Sequence, residues 1–380
     1  MPCLNEQDTI GECIARALST LREAGLSGEV IVADNGSSDG SVEIARDLGA
    51  RVVHQAARGY GAAYMKGIAE ARGQYIVIGD SDNTYDFTDL PRLVAPLRQG
   101  HDLVLGSRFR GTILPGAMPW ANRYIGNPVL TGLLNLLFGL RISDAHSGLR
   151  AFSREAYDRM QLQTTGMEFA SEMVIKASMA KMKIAEVPIT YHPRVGNSKL
   201  QPVGDAWRHI RFMLLFSPAY LFLVPGAAAL LAGLLLTVAL LRGPISLGNV
   251  YFGIHFMVLG SLLAVLGMQM LSFGISARAY AFNEHLIGQD LLLQRFMRRY
   301  SLERGLTLGV LLGSLGLVLL VYVLVQWLAG DARFGALIHL HEAIAASTLT
   351  ILGAQIVISS FFISLLSLHR QHHLTFSEPE

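Results

Sequence analysis

Cysteine is almost missing from this chain. Cys3 and Cys13 are the only two in 380 residues. They have neither zinc-ligand spacing nor a disulfide framework around them, which fits a reducing cytosol. Charge is scarce as well. Asp, Glu, Lys and Arg make up 16% of the chain, where soluble proteins carry about 25%. The net charge of +2 is too balanced to suggest a nucleic-acid partner. The opening residues are polar and hold no basic stretch ahead of an apolar one, so no signal peptide is expected.

The shortage of charge is uneven. Roughly the first two hundred residues have ordinary charge and Gly/Pro punctuation, and the remainder contains long apolar runs. In the first part, Asp8-Thr9-Ile10-Gly11-Glu12 opens a helix whose apolar face is Ile10, Cys13, Ile14, Ala17, Leu18 and Leu21. Glu29-Val30-Ile31-Val32-Ala33 reads as a buried strand running into Asp34-Asn35-Gly36-Ser37-Ser38-Asp39-Gly40. Such a segment is most often only a turn, and its place at a strand's carboxyl end is what raises a functional reading. A helix near 41–48, a strand at Arg51-Val52-Val53-His54 and a helix opened by Arg58-Gly59-Tyr60-Gly61-Ala62-Ala63 follow. The last of these superficially matches a dinucleotide fingerprint but lacks the acidic residue the fingerprint needs. Its glycines instead suggest close approach of backbone to a phosphate or a strand.

Tyr75-Ile76-Val77-Ile78-Gly79-Asp80-Ser81-Asp82 is the most informative stretch. An apolar run reads as a buried parallel strand and ends in two carboxylates one residue apart. Ligands sit beyond the carboxyl ends of strands in open α/β sheets. Asp80 and Asp82 are therefore either a solvated acidic turn or hard oxygen ligands for Mg²⁺ or Mn²⁺ holding a phosphate-bearing substrate. Further strands are expected at Asp102-Leu103-Val104-Leu105-Gly106 and Glu186-Val187-Pro188-Ile189. Arg108, Arg123, Arg150, Arg194 and Lys199 are cations on or beside loops, which suits a multiply charged phosphate. The alternation of strands and helices predicts a doubly wound, mostly parallel sheet.

Asp205-Ala206-Trp207-Arg208-His209-Ile210-Arg211-Phe212-Met213 mixes bases and aromatics as an interfacial helix does. Runs long enough to span a bilayer follow near 218–241, 250–275, 306–328 and 343–366. Arg278, Arg295, Arg298, Arg299 and Arg304 lie between the second and third runs, against Arg242 and Arg333 in the other two connections. The positive-inside rule then places the first domain, the middle loop and the tail at His369-Arg370 in the cytoplasm. The expected domains are 1–204 catalytic, 205–216 interfacial and 217–380 membrane-spanning with four transmembrane helices.

The succession Pro2-Cys3-Leu4-Asn5-Glu6, Asp34 to Gly40, Asp80-Ser81-Asp82, Gly106-Ser107-Arg108 and Ser147-Gly148-Leu149-Arg150 resembles glycosyltransferase family 2. Glu186-Val187-Pro188-Ile189 with Arg194, Gly196, Ser198 and Lys199 is similar to its polyprenyl-phosphate branch, which contains the dolichyl-phosphate mannose and glucose synthases. The resemblance implies a GT-A (Rossmann-like) fold that moves one hexose from a nucleotide-sugar, UDP-glucose or GDP-mannose, to an undecaprenyl or dolichyl phosphate with inversion. It implies that Leu4, Asn5, Glu6 and Asp34 line the nucleotide base and ribose. Asp80 and Asp82 bind Mg²⁺ or Mn²⁺ and the donor diphosphate. Arg108 and Arg123 hold the acceptor phosphate, and Arg194 and Lys199 lie in a loop that closes over the donor. Assembly as a homo-oligomer is left open.

The chain departs from the family pattern twice. Thr84 stands where many relatives have a metal-contacting Gln, with Asp86 as a substitute. No strand precedes Pro2-Cys3-Leu4-Asn5-Glu6, so the central sheet is expected to lack its first strand, as from a shortened gene model. Two alternatives remain beside the leading one. A processive polysaccharide synthase would carry a Gln-x-x-Arg-Trp motif, which Gln294-Arg295-Phe296-Met297-Arg298 only approaches. A non-catalytic scaffold or flippase subunit with a degenerate transferase domain would work through its spans, with His339, His341 and Glu342 as a polar feature.

Overall fold

The computed structural model describes residues 1–195, 202–217, 219–248, 250–283, 300–329 and 339–374. The chain divides into two compact units, Met1–Leu215 and Phe216–Glu380. The first unit runs β1 (Pro2–Cys3), α1 (Ile10–Glu23), β2 (Ile31–Asp34), α2 (Ser41–Asp47), β3 (Arg51–His54), α3 (Tyr60–Glu70), β4 (Tyr75–Ile78) and α4 (Leu90–Arg98). It continues through β5 (Leu103–Ile113), α5 (Asn127–Phe138), β6 (Arg150–Ser153), α6 (Arg154–Met160), α7 (Phe169–Met179), β7 (Ile184–Tyr191) and α8 (Pro202–Leu215).

Its strands form two ladders, β1-β2-β3 and β4-β6-β5-β7. The first ladder is parallel throughout, as is the pairing of β5 with β7. Only β6 runs against its neighbours. This is the α/β architecture of the GT-A class with a mostly parallel sheet, and the antiparallel β6 is an addition that the sequence reading did not contain. The apolar face expected of α1 is the one that buries: Ile10, Cys13, Ile14 and Ala17 are sealed in the core. They pack with Val32, Leu93, Val104 and Leu149, all inaccessible to solvent, and such burial contributes about 1.5–3 kcal/mol for each large aliphatic side chain.

Where the first strand was expected to be absent, the structure has a two-residue stub, β1, paired with β2. Met1 to Cys3 already lie in ladder register. The Met1 amine donates to Ile31 O at 2.9 Å, and Met1 O accepts from Ala33 N at 2.8 Å. Cys3 O accepts from Asn35 N at 2.9 Å. β1 is two residues long where β4 is four, and among the described residues it pairs with β2 while β4 pairs with β6, so the two ladders stay separate. Beyond β1 lies a cavity of about 410 Å³ walled by Leu21 of α1, Ile31 of β2, Ile68 of α3, Ile76 of β4 and Val94 of α4. Burial there pushes the Met1 amine from its usual 8.0 down to about 6.

The second unit holds four helices long and apolar enough to cross a membrane: Tyr220–Ala239, Ile254–Phe282, Leu302–Ala329 and Leu340–Leu366. In lipid, close backbone approach replaces the hydrophobic effect as the source of helix packing. Gly309 and Gly316 of the third span meet Gly353 and Thr350 of the fourth so closely that an added methyl would overlap backbone. Ser261 bonds Thr348 at 2.7 Å, Gln355 Nε2 donates to Gln269 Oε1 at 3.0 Å, and Ser359 donates to Ser272 at 2.9 Å.

Candidate active site

β4 delivers Asp80 and Asp82 at its carboxyl end, and two hydrogen bonds and one backbone conformation fix the turn that carries them. Thr9 Oγ1 donates to Ser81 O at 2.7 Å, Ser81 Oγ donates to Pro2 O at 2.6 Å, and Asn83 takes a left-handed φ of 62°. The first two tie the turn to α1 and to the β1 stub. Asp80 Oδ1 accepts from the hydroxyls of Tyr60 and Tyr64, each at 2.9 Å. Burial, followed by the charge of Asp82, raises the Asp80 carboxyl from 3.8 to about 6. Asp82 Oδ1 accepts from Thr84 N at 3.1 Å and Thr84 Oγ1 at 2.5 Å. Asp82 Oδ2 lies 3.4 Å from Arg194 Nη1. Oδ1 of each carboxylate is thus committed to the protein, and Oδ2 of Asp82 faces the Arg194 guanidinium. A cation at the two Oδ2 atoms would take over from Arg194 in relieving their mutual repulsion. Two hard oxygens with this excess negative charge fit Mg²⁺ or Mn²⁺. Asp86 is engaged elsewhere: its Oδ1 caps Thr88 N at 3.0 Å and lies 3.9 Å from Arg16.

The segment carrying Asp34 is strapped to the Leu4-Asn5-Glu6 turn. Asn5, with a left-handed φ of 53°, accepts from Ser38 N at 2.8 Å. Asn5 N donates to Ser37 Oγ at 3.0 Å, and Glu6 N to Ser41 Oγ at 2.9 Å. Asp34 accepts from Ser37 N, Gly36 N and His54 Nδ1. Burial alone would raise its pKa, but these hydrogen bonds outweigh burial and leave it below the usual carboxylate value. Glu6 Oε1 lies 3.2 Å from Arg194 Nη2, so one guanidinium bridges the nucleotide-side turn and the carboxylate pair.

The five cations separate sharply. Arg194 faces Glu6 and Asp82. Arg108 and Arg123 share a cleft of about 380 Å³ with Phe109, Ile113, Tyr124 and Pro128. The Arg108 charge is already matched there. Its Nε and Nη2 reach the two oxygens of Asp144 at 2.7 and 2.8 Å, and its guanidinium lies 5.1 Å from the centre of the Tyr191 ring. Arg123, on the π-turn Asn122–Gly126, lies over Tyr124. Arg150 is no surface cation: it is 1% exposed and donates to Ala145 O, Ser147 O and Ala170 O, clamping the Ser147-Gly148 loop to α7. Lys199 lies outside the described residues.

The site also contains residues that sequence reasoning passed over. Tyr60 and Tyr64 sit at the start of α3, in the stretch that resembles a dinucleotide fingerprint. Its glycines admit neither phosphate nor strand. A Cβ at Gly59 or Gly61 would lie 2.3 Å from the carbonyl oxygens of Thr165 or Thr164, so they admit the loop ahead of α7. The four-residue spacing of the tyrosines on a helix placed beside a strand end was the available signal. Glu186 is a second case, since its Oε1 accepts from Ser143 N and Oγ at 2.7 Å each and its Oε2 lies 3.2 Å from Arg110. His146 and His209 join through Ser171 Oγ, at 3.2 and 2.8 Å, and burial holds both below the usual imidazole value.

The Arg108–Asp144 pair predicts a stability pattern. Asp144→Ala strands a buried guanidinium and should cost about 3–5 kcal/mol. Adding Arg108→Met should recover much of that loss, read by chemical unfolding of the full chain.

Comparison with known proteins agrees with this architecture. The family model described as glycosyl transferase family 2 matches residues 1–160. The model for the glycosyltransferase family 2 C-terminal transmembrane region matches residues 275–367. The low-salt glycan biosynthesis hexosyltransferase Agl6 of Haloferax volcanii is 41% identical over 368 residues, 96% of this chain and 88% of that protein. The dolichyl-phosphate hexose transferase of the same organism is 36% identical over 205 residues, 53% of this chain and 85% of that protein. Glucosyl-3-phosphoglycerate synthase from Mycobacterium tuberculosis, solved with Mn²⁺, UDP-glucose and phosphoglyceric acid, is 26% identical with a TM-score of 0.47, over 56% of this chain and 76% of that one. Both ends of the chain therefore point one way, and the chain belongs to glycosyltransferase family 2, as a hexosyl-transferring membrane enzyme.

Proposed function

We propose that this enzyme transfers one hexose from a nucleotide-sugar to a polyprenyl phosphate at the cytosolic face of the membrane, inverting the anomeric carbon. One observation carries the reading. One unit carries both a carboxylate pair and a basic cleft, in a chain that also has four helices long and apolar enough to cross a bilayer, so a phosphorylated lipid is a substrate such an enzyme can reach. The likeness to a dolichyl-phosphate hexose transferase supports that acceptor class. UDP-glucose and GDP-mannose are both compatible donors. The positive-inside rule supports the cytosolic side, where nucleotide-sugars occur.

Asp80 Oδ2 and Asp82 Oδ2 would hold Mg²⁺ or Mn²⁺, which neutralises charge on the departing nucleoside diphosphate. Leu4, Asn5, Glu6 and Asp34 would position the base and ribose. Arg194 leaves Glu6 and Asp82 for the diphosphate when donor arrives, and Lys199, five residues on in the sequence, would add a second cation. The acceptor phosphate is already ionised at neutral pH, so alignment for in-line attack supplies most of the effect. In the acceptor cleft Arg123, which has no carboxylate partner among the described residues, contributes the available charge, and Arg108, neutralised by Asp144, shapes the wall.

An apolar surface supports the membrane-facing role of this cleft. Trp120 is 67% exposed, Tyr124 58%, Val129 58% and Leu136 63%, beside Trp207 of α8 at 60%. Residues 205–216 would lie in the headgroup layer, where Trp and Arg are favoured. The processive-synthase motif candidate at 294–298 lies outside the described residues, and the hexosyltransferase likeness removes the scaffold reading.

The test is transfer of labelled sugar from a panel of nucleotide-sugars to undecaprenyl and dolichyl phosphate by the purified full chain. Metal-dependent labelling of a lipid phosphate, abolished by Asp82→Ala, is expected. No labelled lipid with any donor and metal contradicts the proposal. Tyr124→Ser should raise the KM for lipid phosphate and leave the donor KM unchanged.

A further inference from the structure

Tyr60 and Tyr64 donate to one and the same oxygen of Asp80. Their rings meet edge to face with centroids 4.8 Å apart, and Tyr64 stacks on Phe169 at 5.6 Å, so the donors are held by packing. Burial and the neighbouring Asp80 keep both phenols far above their usual range, so they remain donors at any working pH. On the other side of the carboxylate stands Gly148. A Cβ there would lie 2.7 Å from Asp80 Oδ2, so that oxygen rests close against the glycine. Rotating the carboxylate would break two hydrogen bonds at once. Asp82 is divided too: Oδ1 is held by the amide and hydroxyl of Thr84, and Oδ2 faces Arg194 Nη1 at 3.4 Å, the place a metal would take from that guanidinium.

We infer that Tyr60, Tyr64 and Thr84 are positioning residues that make each carboxylate a one-oxygen ligand, and so set a preference for Mg²⁺ and Mn²⁺ over Ca²⁺. The inference rests on the metal–diphosphate reading of this pair. Mg²⁺ demands near-octahedral coordination at about 2.0–2.1 Å and is commonly held by one or two carboxylates plus substrate phosphates and water. Ca²⁺ collects about 6–8 oxygens at about 2.3–2.6 Å and draws on carboxylates that bind through both oxygens. With Oδ1 of both aspartates committed to protein donors, the site offers the first ion its usual protein share and denies the second its two-oxygen carboxylates. Thr84, which departs from the family's Gln, thereby gains a role through Asp82 and none as a ligand.

The experiment measures Mn²⁺ binding to the full chain in detergent with UDP or GDP present, by loss of the free-ion paramagnetic resonance signal, with Ca²⁺ as competitor. Wild-type protein should resist Ca²⁺. Tyr60→Phe/Tyr64→Phe, which keeps both rings, should let Ca²⁺ compete about tenfold better relative to Mn²⁺, because both oxygens of Asp80 become available. Tyr60→Phe alone, which leaves the stack on Phe169, and Thr84→Val should move the ratio in the same direction. An unchanged Ca²⁺/Mn²⁺ ratio in all three variants, with Mn²⁺ still binding to wild type, overturns the inference and leaves the metal site standing. Failure of wild type to bind Mn²⁺ with either nucleotide overturns both.

Discussion

Two carboxylates held one residue apart at the end of a buried strand repel each other, and the first unit is arranged around that repulsion. Burial and the neighbouring charge lift Asp80 to about 6. Each aspartate gives one oxygen to protein donors, from two phenols in one case and from Thr84 in the other. The guanidinium of Arg194 then stands against Asp82 and Glu6. The turn cannot relax away from this charge, because Ser81 is bonded both to β1 and to Thr9. A site of this kind has a standing need for cations, which the proposed metal and diphosphate would meet. Arg194 fills part of that need before the substrate arrives.

The same logic separates the other arginines. Arg108 is deep and fully matched by Asp144, Arg150 is deep and spends its protons on three backbone carbonyls, and Arg123 lies on a surface turn with no carboxylate partner among the described residues. Of these three, Arg123 is the one with charge to spare for an anion from solution. The second unit works on a different principle. It has little charge to manage, and its helices gain stability from backbone approach at glycines and from hydroxyl and carboxamide pairs.

Much of this was legible in the sequence. The strand before Asp80 announces itself as an apolar run ending in acid, and the four spans are visible because a bilayer imposes a minimum length. Asp34, with the turn at Asn5, was identifiable from its place at a strand end. What escaped was structure with no local signature. A strand of two residues such as β1 is too short for periodicity to register, and β6, Arg150-Ala151-Phe152-Ser153, lacks the apolar run that marks β4 at the same length. Arg150 read as a solvated or phosphate-binding cation because backbone carbonyl partners leave no trace in sequence. Tyr60 and Tyr64 were hidden behind glycines that suggested a phosphate loop, and those glycines turned out to admit the backbone of Thr164 and Thr165.

The central claim is that Asp80 and Asp82 form a metal–diphosphate site. Electron–nuclear double resonance of Mn²⁺ bound to the full chain with UDP or GDP reads this directly. The account predicts ³¹P hyperfine couplings from a protein-bound Mn²⁺–nucleotide complex that disappear in Asp82→Ala. A wild-type spectrum identical to that of Mn²⁺ and nucleotide in buffer would contradict it.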